Sequence, residues 1–156
     1  MISLLSLVLA NTAPKVHTFF FVTSDCPIAK RFAPEIKRIM KDYDSMSTFL
    51  FVYEDEGTTS KKIEGHHTEY KLTCPFTLDP NKHMALENHI TGVPTVVVRS
   101  SKGALQYRGR IDDSYGSDFK WHPAKQKDLR NALAALRNGE AVKVKQTKVI
   151  GCALNP

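Results

Sequence analysis

Short apolar runs, separated by polar turns, divide this chain into alternating strands and helices. The runs at residues 16–22, 48–53 and 95–99 are rich in Val and Phe and have the length of strands. The first run is almost continuously apolar, which predicts a strand buried on both faces of a sheet. The pattern therefore predicts an α/β protein whose sheet is covered by helices.

The segment from Pro27 to about Asp42 has the pattern of an amphipathic helix. Proline is favoured at the first position of a helix, whereas Pro34 inside the segment should kink it by displacing a backbone hydrogen bond. Apolar residues recur at helical spacing and predict a stripe that docks the helix on the sheet: Ile28, Phe32, Ile36, Ile39 and Met40.

A further βα unit precedes the third strand. A polar helix is predicted near residues 59–70, a short strand at 74–78 and another helix near 82–88. These elements extend the sheet by one strand before the run at 95–99.

The pattern in the C-terminal third of the chain predicts a β-hairpin and a last helix. A polar turn joins residues 95–99 to residues 104–110, which predicts an antiparallel pair, so the sheet should be mixed. Leucines at helical spacing in residues 125–138, followed by Gly139, predict the final helix.

Size and charge narrow the function classes. With 156 residues the chain can bury one core, and we assign one domain to residues 14–139 and a basic tail, predicted to be flexible, to residues 140–156. The net charge is +6, but the basic residues are scattered among acidic ones without a Lys/Arg block. Nucleic acid is therefore not an expected partner.

Residues 1–13 are interpreted as a possible leader segment. Ile2 to Ala10 is a short apolar run, followed by small residues where a signal peptidase could cut, although a basic start is lacking. The expectation is an exported protein, periplasmic or secreted. No other stretch is long enough to cross a membrane, so a membrane-spanning chain is not expected.

The three cysteines are Cys26, Cys74 and Cys152, and their spacing fits neither a C-x-x-C motif nor a zinc site. Cys26 lies directly before Pro27, at the predicted start of a helix. The unpaired N–H groups and positive dipole end of a helix stabilise a thiolate, which predicts a nucleophilic Cys26 with a lowered pKa.

These features together resemble the thioredoxin superfamily, and more closely its redoxin branch, which is related to peroxiredoxins. Cys26, Pro34 and the segment Gly92-Val93-Pro94-Thr95 stand where that family has its nucleophile, its helix proline and its cis-proline. The resemblance covers roughly residues 16–138. It implies a thioredoxin-like three-layer α/β/α sandwich with a mixed central sheet and a redoxin-type βα insertion.

The resemblance also implies a place for substrate. In that family the proline matching Pro94 is cis and lies against the nucleophilic sulfur, and the adjacent backbone pairs with a substrate peptide. Val93 and Pro94 are therefore expected to form the docking edge.

The chain departs from both parent families. Ala29 replaces the second cysteine of thioredoxin, and Phe20 replaces its buried aspartate. Thr23 matches the hydroxyl residue three positions before a peroxidatic cysteine, where it could hydrogen-bond a thiolate or a peroxide. The activating arginine of peroxiredoxins has no match, although Arg99, Arg108 or Arg110 could substitute.

Cys26 therefore needs a second thiol, from this chain or from a partner. Cys152 is the favoured partner, because a Gly-Cys near the C-terminus of a tail could fold back over the helix start. Cys74 is the weaker choice, since a cysteine at the start of a buried strand is usually inert. Whether such a disulfide would be catalytic or structural stays open.

The histidines raise a different possibility. His66, His67, His83 and His89 lie in or next to the inserted unit, and some thioredoxin-fold copper chaperones bind metal. Their spacing is not that of paired ligands, so we interpret them as surface or capping residues and expect no metal or organic cofactor.

The sequence thus favours a thiol–disulfide oxidoreductase with catalytic Cys26, Cys152 and Thr23. Its expected partners are a protein disulfide or peroxide and an external thiol reductant. A peroxiredoxin-like thiol peroxidase is one alternative. The other is a non-catalytic thioredoxin-like binding module whose disulfide is structural.

Overall fold

The computed structural model describes residues 16–154, so the leader predicted at residues 1–13 lies outside the described residues. The strands are β1 (Val16–Val22), β2 (Ser47–Tyr53), β3 (Phe76–Leu78), β4 (Gly92–Val93), β5 (Thr95–Ser100), β6 (Leu105–Gly109) and β7 (Cys152–Ala153). The helices are α1 (Pro27–Tyr43), α2 (Ser60–Tyr70), α3 (His83–Glu87) and α4 (Asp128–Arg137).

Five of the strands form one sheet in the order β3-β2-β1-β5-β6. β1 pairs with β2 in parallel and β2 with β3 in parallel, whereas β5 runs antiparallel to both β1 and β6. The sheet is mixed, as predicted, and β3 is the strand that the additional βα unit contributes.

Both faces of the sheet are covered. Val96, Val97 and Val98 are consecutive in β5 and all three are fully buried. Successive side chains of a strand point to opposite faces, so helices or loops must pack on each side. Burial on both faces was predicted for β1, and it is confirmed there, because the consecutive residues Phe20, Phe21 and Val22 are all buried.

Helix α1 docks on the sheet through the predicted apolar stripe, whose five residues are all buried. Pro34 lies inside α1, which continues from Pro27 to Tyr43. The other side of α1 is tied to α4, because the Arg130 guanidinium contacts Glu35 at 2.6 Å and Asp42 at 2.8 Å. These ion pairs hold the C-terminal helix beside the helix that begins at Cys26.

Helix α4 begins at Asp128, three residues later than the sequence predicted. The backbone N–H groups of Lys125 and Gln126 donate to the Asp113 carboxylate at 2.7 and 2.9 Å. Those hydrogen bonds hold the residues in a turn and so delay the helix.

The C-terminal tail is fixed to the domain, and the prediction of a flexible tail is wrong for its described part. Gln146 bridges to Arg108 at the edge of β6, and the Thr147 hydroxyl lies 2.7 Å from the Tyr107 hydroxyl and accepts a 3.0 Å hydrogen bond from Arg110 N–H. Further on, β7 pairs antiparallel with β4. The tail therefore has two attachment points, with residues 148–151 between them.

Among residues 16–154, no helix has the length and apolar character needed to cross a membrane.

Candidate redox site

Cys26 occupies the N-cap of α1, between the end of β1 and Pro27. Its carbonyl oxygen accepts the first helical hydrogen bond, from Lys30 N–H at 3.0 Å, and its side chain is only 2 % exposed. The sulfur is thus held at the positive end of a 17-residue helix.

A disulfide joins Cys26 to Cys152, which lies 126 residues later in β7. Their Cα atoms are 6.2 Å apart. Cys152 is partly exposed, so the bond connects a buried sulfur to the last strand of the chain.

The Val93–Pro94 peptide bond is cis and lies beside this disulfide. Val93 is paired with Cys152, and its carbonyl oxygen lies 3.7 Å from Cys26 Sγ. The Thr95 hydroxyl donates to the Gly92 carbonyl at 2.5 Å, which holds the turn around Pro94. Cys26, Cys152, Val93 and Pro94 are therefore brought together.

The loop before Cys26 is fixed by Ser24 and Asp55. The Ser24 backbone N–H donates to both oxygens of the Asp55 carboxylate, at 3.0 and 2.9 Å, and its hydroxyl donates to the same group. Thr23 lies in this loop and is partly buried, but in the described part of the chain its hydroxyl makes no hydrogen bond to Cys26.

Glu54 is a buried carboxyl group beside this loop anchor. It is 2 % exposed, and neither of its oxygens has a hydrogen-bond partner within the described residues. Burial, with a further contribution from the neighbouring Asp79, raises the pKa of Glu54 to about 8. The group is therefore largely protonated at neutral pH.

Cys74 is a free thiol at the opposite end of α1. It lines a shallow cleft with Lys41 and Asp44, whereas Cys26 begins the helix, and a helix of this length spans about 25 Å. Burial raises the pKa of the Cys74 thiol to about 11. Cys74 is thus separated from the disulfide and poorly ionised.

The three arginines considered as substitutes for the peroxiredoxin arginine have other contacts. Arg99 and Arg108 both donate to Asn88, and Arg110 pairs with Asp128 at 2.7 Å. In residues 16–154, no hydrogen bond or ion pair joins any of them to Cys26 or Thr23.

The interpretation of the histidines as surface or capping residues is wrong for two of the four. His67 is buried and packs against Phe51 and Phe76, and Nδ1 of the half-buried His66 lies 2.8 Å from the Tyr53 hydroxyl. Burial lowers the pKa of both rings. His83 and His89 are exposed, and residues 16–154 contain no cluster of three or more His, Cys, Asp or Glu residues arranged to hold a metal ion.

Comparison with known proteins is informative at the level of structure. No family model matches the chain, and no curated protein does. An uncharacterized conserved protein of Geobacillus kaustophilus superposes with a TM-score of 0.81 at 22 % identity, over 95 % of this chain and 81 % of that one. A thioredoxin-like protein in its oxidised form gives a TM-score of 0.63 at 15 % identity, over 83 % and 82 %. A secreted disulfide oxidoreductase of Mycobacterium tuberculosis gives 0.56 at 18 % identity, over 81 % and 85 %.

This chain has a thioredoxin-like fold. The expected α/β sandwich with a mixed sheet and an inserted βα unit is confirmed. In this thioredoxin-like fold the tail strand β7 lies along the cis-proline edge, so the site combines elements from the two ends of the chain.

Two residues that build the candidate site, Asp55 and Thr147, were not predicted from the sequence. Asp55 anchors the loop before Cys26. Its position in the acidic turn after β2 could have predicted this contact, because β1 and β2 are parallel and their carboxyl ends lie at the same edge of the sheet. Thr147 holds the tail through groups 37 and 40 residues away, and no local pattern indicates it.

Proposed function

We propose that this chain is a thiol–disulfide oxidoreductase in which Cys26 is the nucleophile and Cys152 the resolving cysteine. The observation that carries the proposal is the Cys26–Cys152 disulfide, formed at a helix N-terminus and alongside the Val93–Pro94 edge. The thioredoxin-like fold adds support, because Cys26 follows β1 and begins α1.

The reaction begins with both thiols reduced. The Cys26 thiolate attacks one sulfur of a substrate disulfide, a mixed disulfide forms, and the other substrate sulfur leaves as a thiolate. Cys152 then attacks Cys26 Sγ, which forms the intramolecular disulfide and expels the second substrate thiolate. One substrate disulfide is reduced to two thiols, and the two electrons come from Cys26 and Cys152.

Each of the other site residues has a role in this reaction. The N-terminus of α1 stabilises the Cys26 thiolate both as nucleophile and as leaving group. The Thr23 hydroxyl, three residues before Cys26, would donate a hydrogen bond to the thiolate after the disulfide opens. Val93 and Pro94 form the docking edge for the substrate peptide.

The substrate is a protein disulfide, and an external thiol reductant returns the Cys26–Cys152 disulfide to two thiols. We propose an exported compartment, periplasmic or extracellular, because disulfides persist in oxidising environments. The secreted disulfide oxidoreductase among the similar structures is in keeping with that location. No metal or organic cofactor is required by this chemistry.

A peroxidase function has weaker support. Thr23 suits it, but the guanidinium groups of Arg99, Arg108 and Arg110 are engaged by Asn88 and Asp128. None of these three arginines is therefore placed to polarise the O–O bond of a peroxide at Cys26.

A second candidate function is a non-catalytic binding module with a structural disulfide. It is favoured by the burial of Cys26 and by the attachment of the tail through Thr147. In that case the disulfide would lock the tail permanently, and the Cys26 thiol would react no faster than an ordinary thiol.

Trapping of a mixed disulfide tests the proposal. The Cys152→Ser chain, mixed with a disulfide-bonded protein such as insulin, should accumulate a covalent adduct at Cys26 that mass spectrometry locates. The double variant Cys26→Ser, Cys152→Ser is the matched control, because it keeps only Cys74, and it should form no adduct. The absence of an adduct at Cys26, or an adduct at Cys74 alone, would favour the binding module.

A further inference from the structure

The tail strand β7 occupies the docking edge as a bound peptide would. Val93 is opposite Cys152 and Gly92 is opposite Ala153 in an antiparallel pair, and Leu154 N–H donates to the Thr91 carbonyl at 3.0 Å. The cysteine of the strand is meanwhile bonded to Cys26. The arrangement is that of a mixed disulfide with a substrate, except that the peptide belongs to the same chain.

The residue before the cysteine meets a closed contact. A Cβ atom added to Gly151 would collide with the Val93 carbonyl oxygen and would lie 2.7 Å from the carbonyl carbon. It would also lie 3.3 Å from Cδ of Pro94. The Val93 carbonyl is part of the backbone and Cδ of Pro94 belongs to a closed ring, so neither can move aside as a flexible side chain would.

An incoming peptide would meet the same closed contact that Gly151 meets, for two reasons. Antiparallel pairing with β4 fixes its direction, and the short reach of a disulfide to Cys26 fixes which residue lies opposite Val93. The residue preceding a substrate cysteine must then pass over the Val93 carbonyl, where Gly151 passes in the tail.

The positions after the cysteine differ from each other. Ala153 is exposed, so the residue directly after the cysteine can have any side chain. Leu154 is partly buried and forms one wall of a cleft of about 250 Å³, whose other lining residues are Ala85, Leu86 and Ile90 together with Lys82, His89 and Thr91. An apolar side chain two residues after the cysteine would take the place of Leu154 beside Ala85, Leu86 and Ile90.

We propose that the edge selects extended peptides of the pattern Gly-Cys-x-apolar, with the chain's own Gly151-Cys152-Ala153-Leu154 as the built-in copy. This inference rests on the proposed function and defines its substrate class. In the mixed disulfide the peptide sulfur is bonded to Cys26 while the other substrate sulfur has left as a thiolate. Because tail and peptide use the same edge, return of β7 with Cys152 expels the reduced peptide.

Peptide exchange kinetics test this selection on the full-length Cys152→Ser chain. The probes are the hexapeptides VIGCAL, VIACAL and VIGCAD, each with its cysteine linked by a disulfide to 2-nitro-5-thiobenzoate. Attack by Cys26 on the peptide sulfur releases the yellow thiolate, and the double variant Cys26→Ser, Cys152→Ser gives the background rate of Cys74.

The glycine peptide should react about tenfold or more faster than VIACAL, the scale expected when a methyl group is forced into a closed contact. The aspartate peptide should also be slower than VIGCAL, because its last side chain buries no apolar surface against Ala85, Leu86 and Ile90. Rates for VIGCAL and VIACAL within twofold of each other, both well above background, would overturn the selection while leaving Cys26 an active nucleophile. Rates at background for every peptide would overturn the proposed function together with the selection.

Discussion

Val93 and Cys152 lie opposite each other in the antiparallel pair of β4 and β7, and the Val93 carbonyl oxygen also lies 3.7 Å from Cys26 Sγ. One residue of the proposed docking edge therefore contacts both cysteines of the disulfide. In the oxidised state the tail covers this edge, so our proposal requires reduction of the disulfide before a substrate peptide binds.

Gly151→Ala should impair closure of the disulfide, because the added methyl group would collide with the Val93 carbonyl. The rate at which the reduced protein re-forms the Cys26–Cys152 bond with oxidised glutathione is expected to fall about tenfold, as for an overpacked contact. Quenched alkylation followed by mass spectrometry measures this rate. Gly65→Ala is the matched control, since a Cβ there meets no atom within 4 Å. Equal closure rates for the two variants would contradict the prediction.

Thr147→Val should make the disulfide easier to reduce. Its hydroxyl joins the tail to the Tyr107 hydroxyl and to Arg110 N–H, and this attachment keeps Cys152 close to Cys26 when both are reduced. Losing hydrogen bonds worth about 1 kcal/mol should shift the equilibrium with dithiothreitol roughly fivefold toward the dithiol.

The control for that measurement is Thr68→Val, which removes a hydroxyl bonded to Glu64 on the exposed side of α2. Its equilibrium constant should match that of the unaltered chain. If Thr147→Val also left the constant unchanged, the attachment of the tail at Thr147 would have no part in holding Cys152.

The two free thiols of the Cys152→Ser chain should differ strongly in reactivity. Cys74, with a pKa of about 11, is ionised at roughly one part in ten thousand at pH 7. Cys26, at the N-terminus of α1, should be substantially ionised and should be alkylated by iodoacetamide even at pH 6. Peptide mapping after short exposures from pH 5 to 9 measures both rates. Alkylation of Cys26 that increases only near pH 8.5 would contradict a stabilised thiolate.

Glu54→Gln should stabilise the chain more at pH 8 than at pH 5. The folded pKa of about 8 exceeds the ordinary value of 4.5, so between these values the folded state binds more protons than the unfolded state. The free energy of unfolding therefore falls as the pH rises through this window and Glu54 in the folded chain has to ionise. The glutamine side chain of the variant does not ionise, so the variant does not lose this stability. The gain in melting temperature should be at least about 3 °C larger at pH 8, the scale of roughly 1 kcal/mol in a chain of this size.

Thermal unfolding of the oxidised protein at both pH values measures this difference. Glu64→Gln, at an exposed position of α2, is the matched control and should show no such trend. A gain that was equal at pH 5 and pH 8 would show that Glu54 is ionised in the folded protein.

The elements around the nucleophile could be predicted because their signals are local. The apolar run predicts β1, and the polar turn predicts the loop that follows it. Cys-Pro followed by an amphipathic stripe predicts α1, and none of these signals depends on the remainder of the chain. The hairpin of β5 and β6 likewise has its turn residues within one short segment.

The features that could not be predicted from the sequence depend on contacts between residues that are far apart along the chain. The burial of His66 and His67 is decided by packing against Tyr53 and Phe76, which overrides the polar character of α2. The attachment of the tail depends on Thr147 meeting β6. Three cysteines allow three pairings and their spacing does not choose among them, so the Cys26–Cys152 pair is favoured only because a Gly-Cys in the tail could fold back over the start of α1.

The central claim is that the Cys26–Cys152 disulfide opens and closes as a redox pair. The most direct test follows the cysteines by mass spectrometry at three stages, with the free thiols blocked in each sample. The first sample is taken before native reduction with dithiothreitol and the second after it. The third is taken after addition of a stoichiometric amount of a disulfide-bonded protein. The account predicts the Cys26–Cys152 disulfide at first, Cys26 and Cys152 both blocked after reduction, and the same disulfide again once the added protein has been reduced. A bond that resists dithiothreitol in the folded protein, or a reduced pair that leaves the added disulfide intact, would contradict it.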